Sequence, residues 1–384
     1  MPKVLYICKF NIYKVMGSKK RFLISGGGTG GHIFPAVAIA NRIKFEVPDA
    51  EILFIGADDK MEMRRVPEAG YKIEGLHIYG MSRDFSLKGI LKNLKLPFVT
   101  MRALSRAKQI IREFKPDVAI GVGGFASGPA LQAAKSLGVP TLIQEQNSYP
   151  GVTNKILSRQ VHRICVAYDG LERFFPKEKI VKTGNPIRAE ILQLQKKRPE
   201  SYQFFGLTPE KKTLLVIGGS LGAKSINQVI LSNIGKIKQM GIQLIWQTGE
   251  SYYKENEMSL SMMQTDEIKI MPFIRNMNDA YGIADFIISR AGALAIAELG
   301  IVAAPTILVP FPYAAEDHQT KNALALVDKG AAVLVKDSEA SFALIPAFTE
   351  LFGNEHKCAE MSEAMKQFAQ PDAVVKIVEN IMSL

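Results

Sequence analysis

The stretch Ser25-Gly26-Gly27-Gly28-Thr29-Gly30-Gly31-His32 constrains this chain more than any other. Arg21-Phe22-Leu23-Ile24 before it reads as a short buried strand. Ile33 onward reads as a helix with Pro35 in its first turn, where a missing N–H costs nothing. Strand, glycine turn and helix N-terminus together converge backbone N–H groups on one point, which suits an anion. Gly26, Gly28 and Gly31 also satisfy the dinucleotide pattern G-x-G-x-x-G, a weak signal alone. The plain alternative is a tight turn with no ligand. Five glycines in six residues lose much chain entropy for a turn, so a phosphate or sugar site is expected.

At 384 residues the chain is too long for one ordinary core and suits two domains, and 47% apolar residues are enough to bury both. The net charge of +11 points to an anionic partner: phosphates, nucleic acid or an acidic membrane face. Cys8, Cys165 and Cys358 form no metal spacing and leave one unpaired, which suits a reducing cytoplasm. No apolar run approaches the roughly 18–20 residues of a spanning helix. Residues 1–20 read as an extension. Lys3, Lys9 and Lys14 interrupt its apolar residues, so it is no signal peptide, and Met16 is a candidate for the true start.

Beyond the first loop, Glu51–Gly56, Lys72–His77, Asp117–Val122, Thr141–Gln144, Arg163–Val166 and Lys179–Thr183 read as strands with helical patterns between most of them. Such alternation implies a doubly wound parallel sheet, with ligands at the carboxyl ends of the strands, where loops 25–32, 121–129 and 144–150 gather. The register resets at Gly184-Asn185-Pro186. Thr213–Ile217 then runs into Gly218-Gly219-Ser220-Leu221-Gly222-Ala223, a second strand and glycine loop. Further strands are expected near Gln243–Gln247, Lys269–Met271, Phe286–Ser289, Thr306–Val309 and Ala332–Val335. The expected division is an extension (1–20), a first domain (21–186) and a second domain (187–372). A last helix near Ala373–Met382 crosses back onto the first domain.

The second loop nearly matches a P-loop, but Ala223 stands where the tight curl needs glycine, which demotes a nucleotide hydrolase. As a helix N-terminus with Ser220 as donor it still suits a diphosphate, against a purely structural turn. Gly121–Pro129 either shares an anion site with the first loop or only turns the chain. In Gln144-Glu145-Gln146-Asn147 a carboxylate among amides can orient sugar hydroxyls; the plain reading is a solvated loop with an Asx turn. Glu298, two turns into an apolar helix, needs an internal Arg or a ligand hydroxyl pair such as ribose. Glu316-Asp317-His318-Gln319 either caps a helix or touches a sugar. Residues 81–115 hold nine basic and two acidic side chains, over half of the net charge. Leu87, Ile90, Leu91 and Leu94 recur at helical spacing opposite Lys88, Lys92 and Lys95, which suits either a core-packed helix or one lying on anionic lipid.

Taken in order, GGGTGGHIFPA, GVGGFASGP, EQN, GNPIR, GGSLGAKS, RAGALAIAE and EDHQ resemble the MurG family, undecaprenyl-diphospho-muramoylpentapeptide β-N-acetylglucosaminyltransferases, from about Arg21 to the C-terminus. The resemblance implies a GT-B fold of two Rossmann-like domains facing a cleft, with no metal and no cofactor. It implies transfer of GlcNAc from UDP-GlcNAc to lipid I, forming lipid II for peptidoglycan, by a peripheral enzyme on the cytoplasmic face of an anionic plasma membrane, with no nucleic-acid partner. Carried over by motif, the donor contacts are Thr29, Gly30, Gly31, Asn147, Arg188, Ser220, Ile274, Ala293, Leu294, Glu298 and Gln319. The backbone of Ile274 reads uracil, Glu298 holds ribose, Gln319 binds GlcNAc hydroxyls, and Ser220 with its helix dipole steadies the departing diphosphate. The second glycine loop then takes the UDP diphosphate, and the first faces the acceptor diphosphate and the edge of the donor sugar. Departures are His318, where the family often has a second Gln beside Gln319, and Leu221, where it commonly has Gln; residues 1–20 match no family segment.

An inverting displacement needs a general base for the acceptor hydroxyl. His32 is the first candidate, because a helix N-terminus keeps imidazole neutral; its alternative role is to donate to the acceptor diphosphate. Glu145 is the rival base. The other readings are a related transferase with a different acceptor, a nicotinamide or flavin oxidoreductase with Asp58 as its ribose acid, and a non-enzymatic basic scaffold at the membrane.

Overall fold

The computed structural model describes residues 19–80, 86–219 and 222–384. The expectations for most of the N-terminal extension, for Arg83, for Ser220 and for Leu221 therefore lie outside the described residues. The described chain forms two parallel sheets. In the first, β1 (Arg21–Ser25), β2 (Glu51–Ala57), β3 (Lys72–Leu76), β4 (Val118–Gly121), β5 (Thr141–Glu145), β6 (Arg163–Val166) and β7 (Ile180–Lys182) take the order β3-β2-β1-β4-β5-β6-β7. In the second, β8 (Thr213–Ile217), β9 (Gln243–Gln247), β10 (Ile268–Met271), β11 (Phe286–Ser289), β12 (Thr306–Leu308) and β13 (Val333–Leu334) take the order β10-β9-β8-β11-β12-β13.

Both sheets are coated on two faces, which is why their central strands are apolar runs rather than alternating ones. Phe22 and Ile24 point to one face of the first sheet and Leu23 to the other; Leu214 and Val216 divide from Leu215 and Ile217 in the same way. The order reverses beside β1 and again beside β8, so each glycine loop leaves its sheet at a switch point. Register brings the other loops to the same edge. Ser25 pairs with both Ile55 and Gly121, and Ser289 with both Ile217 and Leu308.

The first helix, α1 (Gly30–Glu46), starts three residues before Ile33, so Gly30, Gly31 and His32 form its first turn. Pro35 consequently sits in the second turn, and its absent N–H leaves the Gly31 carbonyl without its i+4 donor. After α2 (Glu62–Glu68), the basic segment forms one long helix, α3 (Leu87–Phe114), which continues through Pro97. Its second half packs on the sheet through Ala103, Ala107, Ile110 and Ile111. Ahead of these, the described apolar side chains stand clear of it: Leu91 is 55% exposed, Leu94 67%, Phe98 69% and Met101 58%. The core-packed expectation thus fails at Leu91 and Leu94, while the side chains of Leu87 and Ile90 lie outside the described residues. The next helix, α4 (Ser127–Ser136), follows the loop after β4.

The chain crosses between the halves twice. After β7 it enters the second core at Ile187, and after Phe368 it returns, so that Val374, Ile377, Val378 and Ile381 of the helix Ala373–Met382 pack with Phe22, Ile33, Ile39 and Phe54. The crossings touch, since a Cβ on Gly184 would stand 2.7 Å from the Cβ of Gln370. Ile377→Ala, at a fully buried position, is expected to lower unfolding free energy by about 2–5 kcal/mol, read as a fall in the urea midpoint with the same slope.

Candidate active site

His32 occupies the third position of α1, beside the loop after β4. Its Nδ1 lies 3.2 Å from Gln146 Oε1. Which amide atom faces the ring is fixed by Gln146 itself: its Nε2 donates to the Val122 carbonyl at 2.8 Å and to the Gln144 carbonyl at 3.2 Å. The oxygen therefore faces His32 and accepts from Nδ1–H, and the neutral ring carries its lone pair on Nε2. Burial pushes the imidazole below its ordinary value; the hydrogen bonds to Gln146 and to the Val122 carbonyl work against that, His318 adds to it and Glu62 opposes it. His32 is thus held neutral. Gly123 makes room for the ring, since its φ is +98° and a Cβ there would stand 2.7 Å from the imidazole.

Thr29 caps α1 with extended backbone, and its carbonyl accepts from the N–H groups of His32 and Ile33 at 3.1 and 3.2 Å. Its hydroxyl makes no cap bond, and the amides of Gly30 and Gly31 open the helix behind it. Gly30, Phe34 and Arg65 line a cavity of about 140 Å³ between the halves, closed opposite by Glu250, Ser251 and Phe273.

Glu145 is spent inside its own loop. One oxygen accepts from Asn147 N at 3.0 Å and Asn147 Nδ2 at 3.1 Å; the other accepts from Gly151 N at 3.1 Å and Asn154 Nδ2 at 2.9 Å. The carboxylate is buried, so it brackets residues 145–154 instead of meeting a hydroxyl, and the solvated-loop expectation for 144–146 fails with it. The loop is tied across the cleft. Asn322 Oδ1 accepts from Ser148 N and Oγ at 3.1 and 2.8 Å, while within the first half Asn185 Nδ2 donates to the Gln146 carbonyl at 3.0 Å.

In the second half, Glu298 finds its partner inside the protein. Arg188 Nε and Nη2 each donate to Oε1 at 2.8 Å, and the Tyr281 hydroxyl donates to Oε2 at 3.1 Å. Burial pushes the Glu298 carboxyl up and Arg188 draws it back. Two candidate donor contacts, Arg188 and Glu298, therefore hold each other. Ala293 and Leu294 open the helix Ala293–Val302 that carries Glu298. Ile274 is buried in the turn after β10, and Gln319, second in the helix His318–Val327, accepts from Phe311 N at 3.0 Å. Arg290 joins the strand ends: it donates to the carbonyls of Val309 and Pro310, each at 3.0 Å, to Asp337 at 2.5 Å and to Ser225 Oγ at 3.1 Å. Ser225 lies in the first turn of the helix Lys224–Gln239, directly behind the second glycine loop.

Gln146, Tyr281, Asn322, Arg290 and Asp337 were not singled out in the sequence as site residues. Gln146 and Arg290 alone had a signal, their places inside the EQN and RAGALAIAE motifs. Gly123→Ala is expected to displace the His32 ring, so that the Nδ1/Nε2 nitrogen shifts of His32 and its titration move in ¹⁵N NMR while the chain stays folded.

Residues 22–166 match the glycosyltransferase family 28 N-terminal domain, and residues 213–377 match the family 28 C-terminal domain. A protein of Cytophaga hutchinsonii named UDP-N-acetylglucosamine–N-acetylmuramyl-(pentapeptide) pyrophosphoryl-undecaprenol N-acetylglucosamine transferase is 53% identical over 95% of this chain and 96% of its own. One of the same name from Bacteroides fragilis is 50% identical over 98% of each chain, a match that reaches into residues 1–20 and so gives part of that segment a counterpart. The crystal structure of Acinetobacter baumannii MurG superposes with a TM-score of 0.73 at 29% identity, covering 96% of this chain and all of that one. A UDP-GlcNAc 2-epimerase from Neisseria meningitidis shares the fold alone, at TM-score 0.67 and 16% identity over 95% of this chain and 100% of that one. Matches of this kind in both halves set aside the oxidoreductase and scaffold readings. With two facing parallel sheets of the GT-B kind and both family 28 domains in order, the chain belongs to glycosyltransferase family 28 and, within it, to the MurG family.

Proposed function

We propose that this protein transfers GlcNAc from UDP-GlcNAc to the 4-hydroxyl of MurNAc in lipid I, with inversion, giving lipid II and UDP. The names of relatives at 50% and 53% identity support the substrate pair. The observation that carries the mechanism is the His32–Gln146 hydrogen bond, which leaves a neutral imidazole with its lone pair on Nε2. In this reading the acceptor proton passes to Nε2 as the acceptor oxygen bonds to the anomeric carbon. The bond from that carbon to the diphosphate breaks, and its electron pair leaves with UDP. The dipole of the helix Lys224–Gln239, with Ser220, steadies the charge that develops on the diphosphate. Residues 21–186 receive the acceptor diphosphate at the first glycine loop, whose Thr29, Gly30 and Gly31 also meet the edge of the donor sugar, and residues 187–372 hold the donor through Ile274, Ala293, Leu294, Glu298 and Gln319. Ribose takes its place at Glu298 by sharing or displacing Arg188, while Asn147 and Arg188 lie where the halves meet.

The exposed Leu91, Leu94, Phe98 and Met101, beside the exposed Lys95 and Arg102, suit an anionic bilayer face on the cytoplasmic side, where a lipid-linked acceptor is presented. No described helix is long and apolar enough to cross a membrane. Replacing Leu94 and Phe98 together by serine is expected to weaken binding to anionic vesicles about tenfold or more, with turnover of a short-chain acceptor retained.

Purified protein given radiolabelled UDP-GlcNAc and a lipid I analogue should form product equally with and without EDTA. No transfer, or transfer only to another acceptor, refutes the reading. His32→Ala should cut turnover by about 10²–10⁴ while UDP-GlcNAc affinity by calorimetry stays within about twofold. Because the His32 pKa lies below its ordinary 6.5, the neutral base persists below that pH, and kcat should fall only as pH drops through the lowered value.

A further inference from the structure

Glu62 is a buried acid to which the proposed reaction gives no task. It opens α2 at 0% exposure, and its partners are backbone amides: Oε1 accepts from Ala57 N at 3.0 Å and Oε2 from Gly28 N at 2.8 Å. Arg64 and Arg65, next on the same helix, pair with Glu68 instead. The space for the carboxylate is cut into the loop, because a Cβ on Gly27 would stand 2.1 Å from Oε1. A carboxylate this far from water is costly unless hydrogen-bonded, and here the bonds come from the first glycine loop. The same loop leads to the imidazole. Gly27 N donates to the Gly123 carbonyl at 3.3 Å, and the His32 ring lies on Gly123. Glu62, Gly27–Gly28, Gly123 and His32 thus form one packed series.

We propose that Glu62 is a positioning residue for His32: it holds the first glycine loop in the shape that seats the imidazole, and its charge stabilises the imidazolium formed when the acceptor proton arrives. The role resembles that of a carboxylate behind a catalytic histidine, with the glycine loop as intermediary. It rests on His32 as general base. Beside the effect of burial, two titratable groups act on the ring, Glu62 from α2 favouring the protonated form and His318 from the helix His318–Val327 disfavouring it.

E62Q keeps the size and one acceptor oxygen and removes the charge. It is expected to lower kcat about tenfold or more, leave the dissociation constant for UDP within about twofold, and move the acid limb of the kcat–pH profile to lower pH, with thermal melting still cooperative. In an H32Q background the same substitution should change the residual rate by less than about twofold. An E62Q enzyme with wild-type kcat and an unmoved acid limb, or an equal loss in both backgrounds, overturns the proposal. The two readings separate cleanly. H32Q at wild-type turnover removes His32 as base and Glu62 with it, whereas H32Q impaired with E62Q at wild-type turnover removes Glu62 alone. If E62Q does not fold, E62D decides, since it keeps the charge but withdraws the carboxylate from Gly28. Lowered kcat with a cooperative melt supports the proposal, and wild-type kcat overturns it.

Discussion

Parallel pairing in register is the constraint on which the rest depends. Ser25 lies level with Gly121, and Gly121 with Ile143, so the loops after β1, β4 and β5 leave the first sheet side by side. The second sheet repeats the arrangement at Ile217, Ser289 and Leu308. Parallel strands all present their carboxyl ends at one edge, and the helices that follow present their N-termini there too. Nothing else in the chain would bring His32 and Gln146, far apart in sequence, within hydrogen-bond reach.

Buried acids lie around this edge, and the protein satisfies them in different ways. Glu62 and Glu145 are held by N–H groups from the backbone and from amide side chains, partners that cannot leave without unmaking a loop. Glu298 is held by side chains alone, the guanidinium of Arg188 and the buried phenol of Tyr281. Withdrawing a partner from Glu298 therefore leaves the backbone in place, whereas freeing Glu62 or Glu145 undoes a loop. Of three buried carboxylates, two are thus pinned by loops and the third by side chains alone.

Strands were legible because two-sided burial writes them as short apolar runs, and the observed bounds differ from the expected ones by a residue or two at most. The start of α1 was not, because glycines are poor helix formers and hide the first turn from propensity. The family resemblance brought Thr29–Gly31, Asn147, Glu298 and Gln319 together as one donor site, with His32 beside it. It did not reveal that Arg188 pairs with Glu298, or that Glu145 is saturated by Asn147, Gly151 and Asn154, since both depend on how distant or turning segments meet. Periodicity in residues 87–95 showed an apolar face without saying what covers it, and the fold leaves Leu91 and Leu94 uncovered.

The double crossing between the halves has a mechanical meaning. Two bodies joined by one strand of chain can swivel about any axis. Joined at adjacent points, where Gly184 rests on Gln370 and Ala373, they turn most easily about the line through both, and twisting or sliding stretches one connection. Opening of the cleft is thereby reduced to something like the motion of a book on its spine. The bonds from Ser148 to Asn322 lie on the far side of that spine, so an opening about it parts them first.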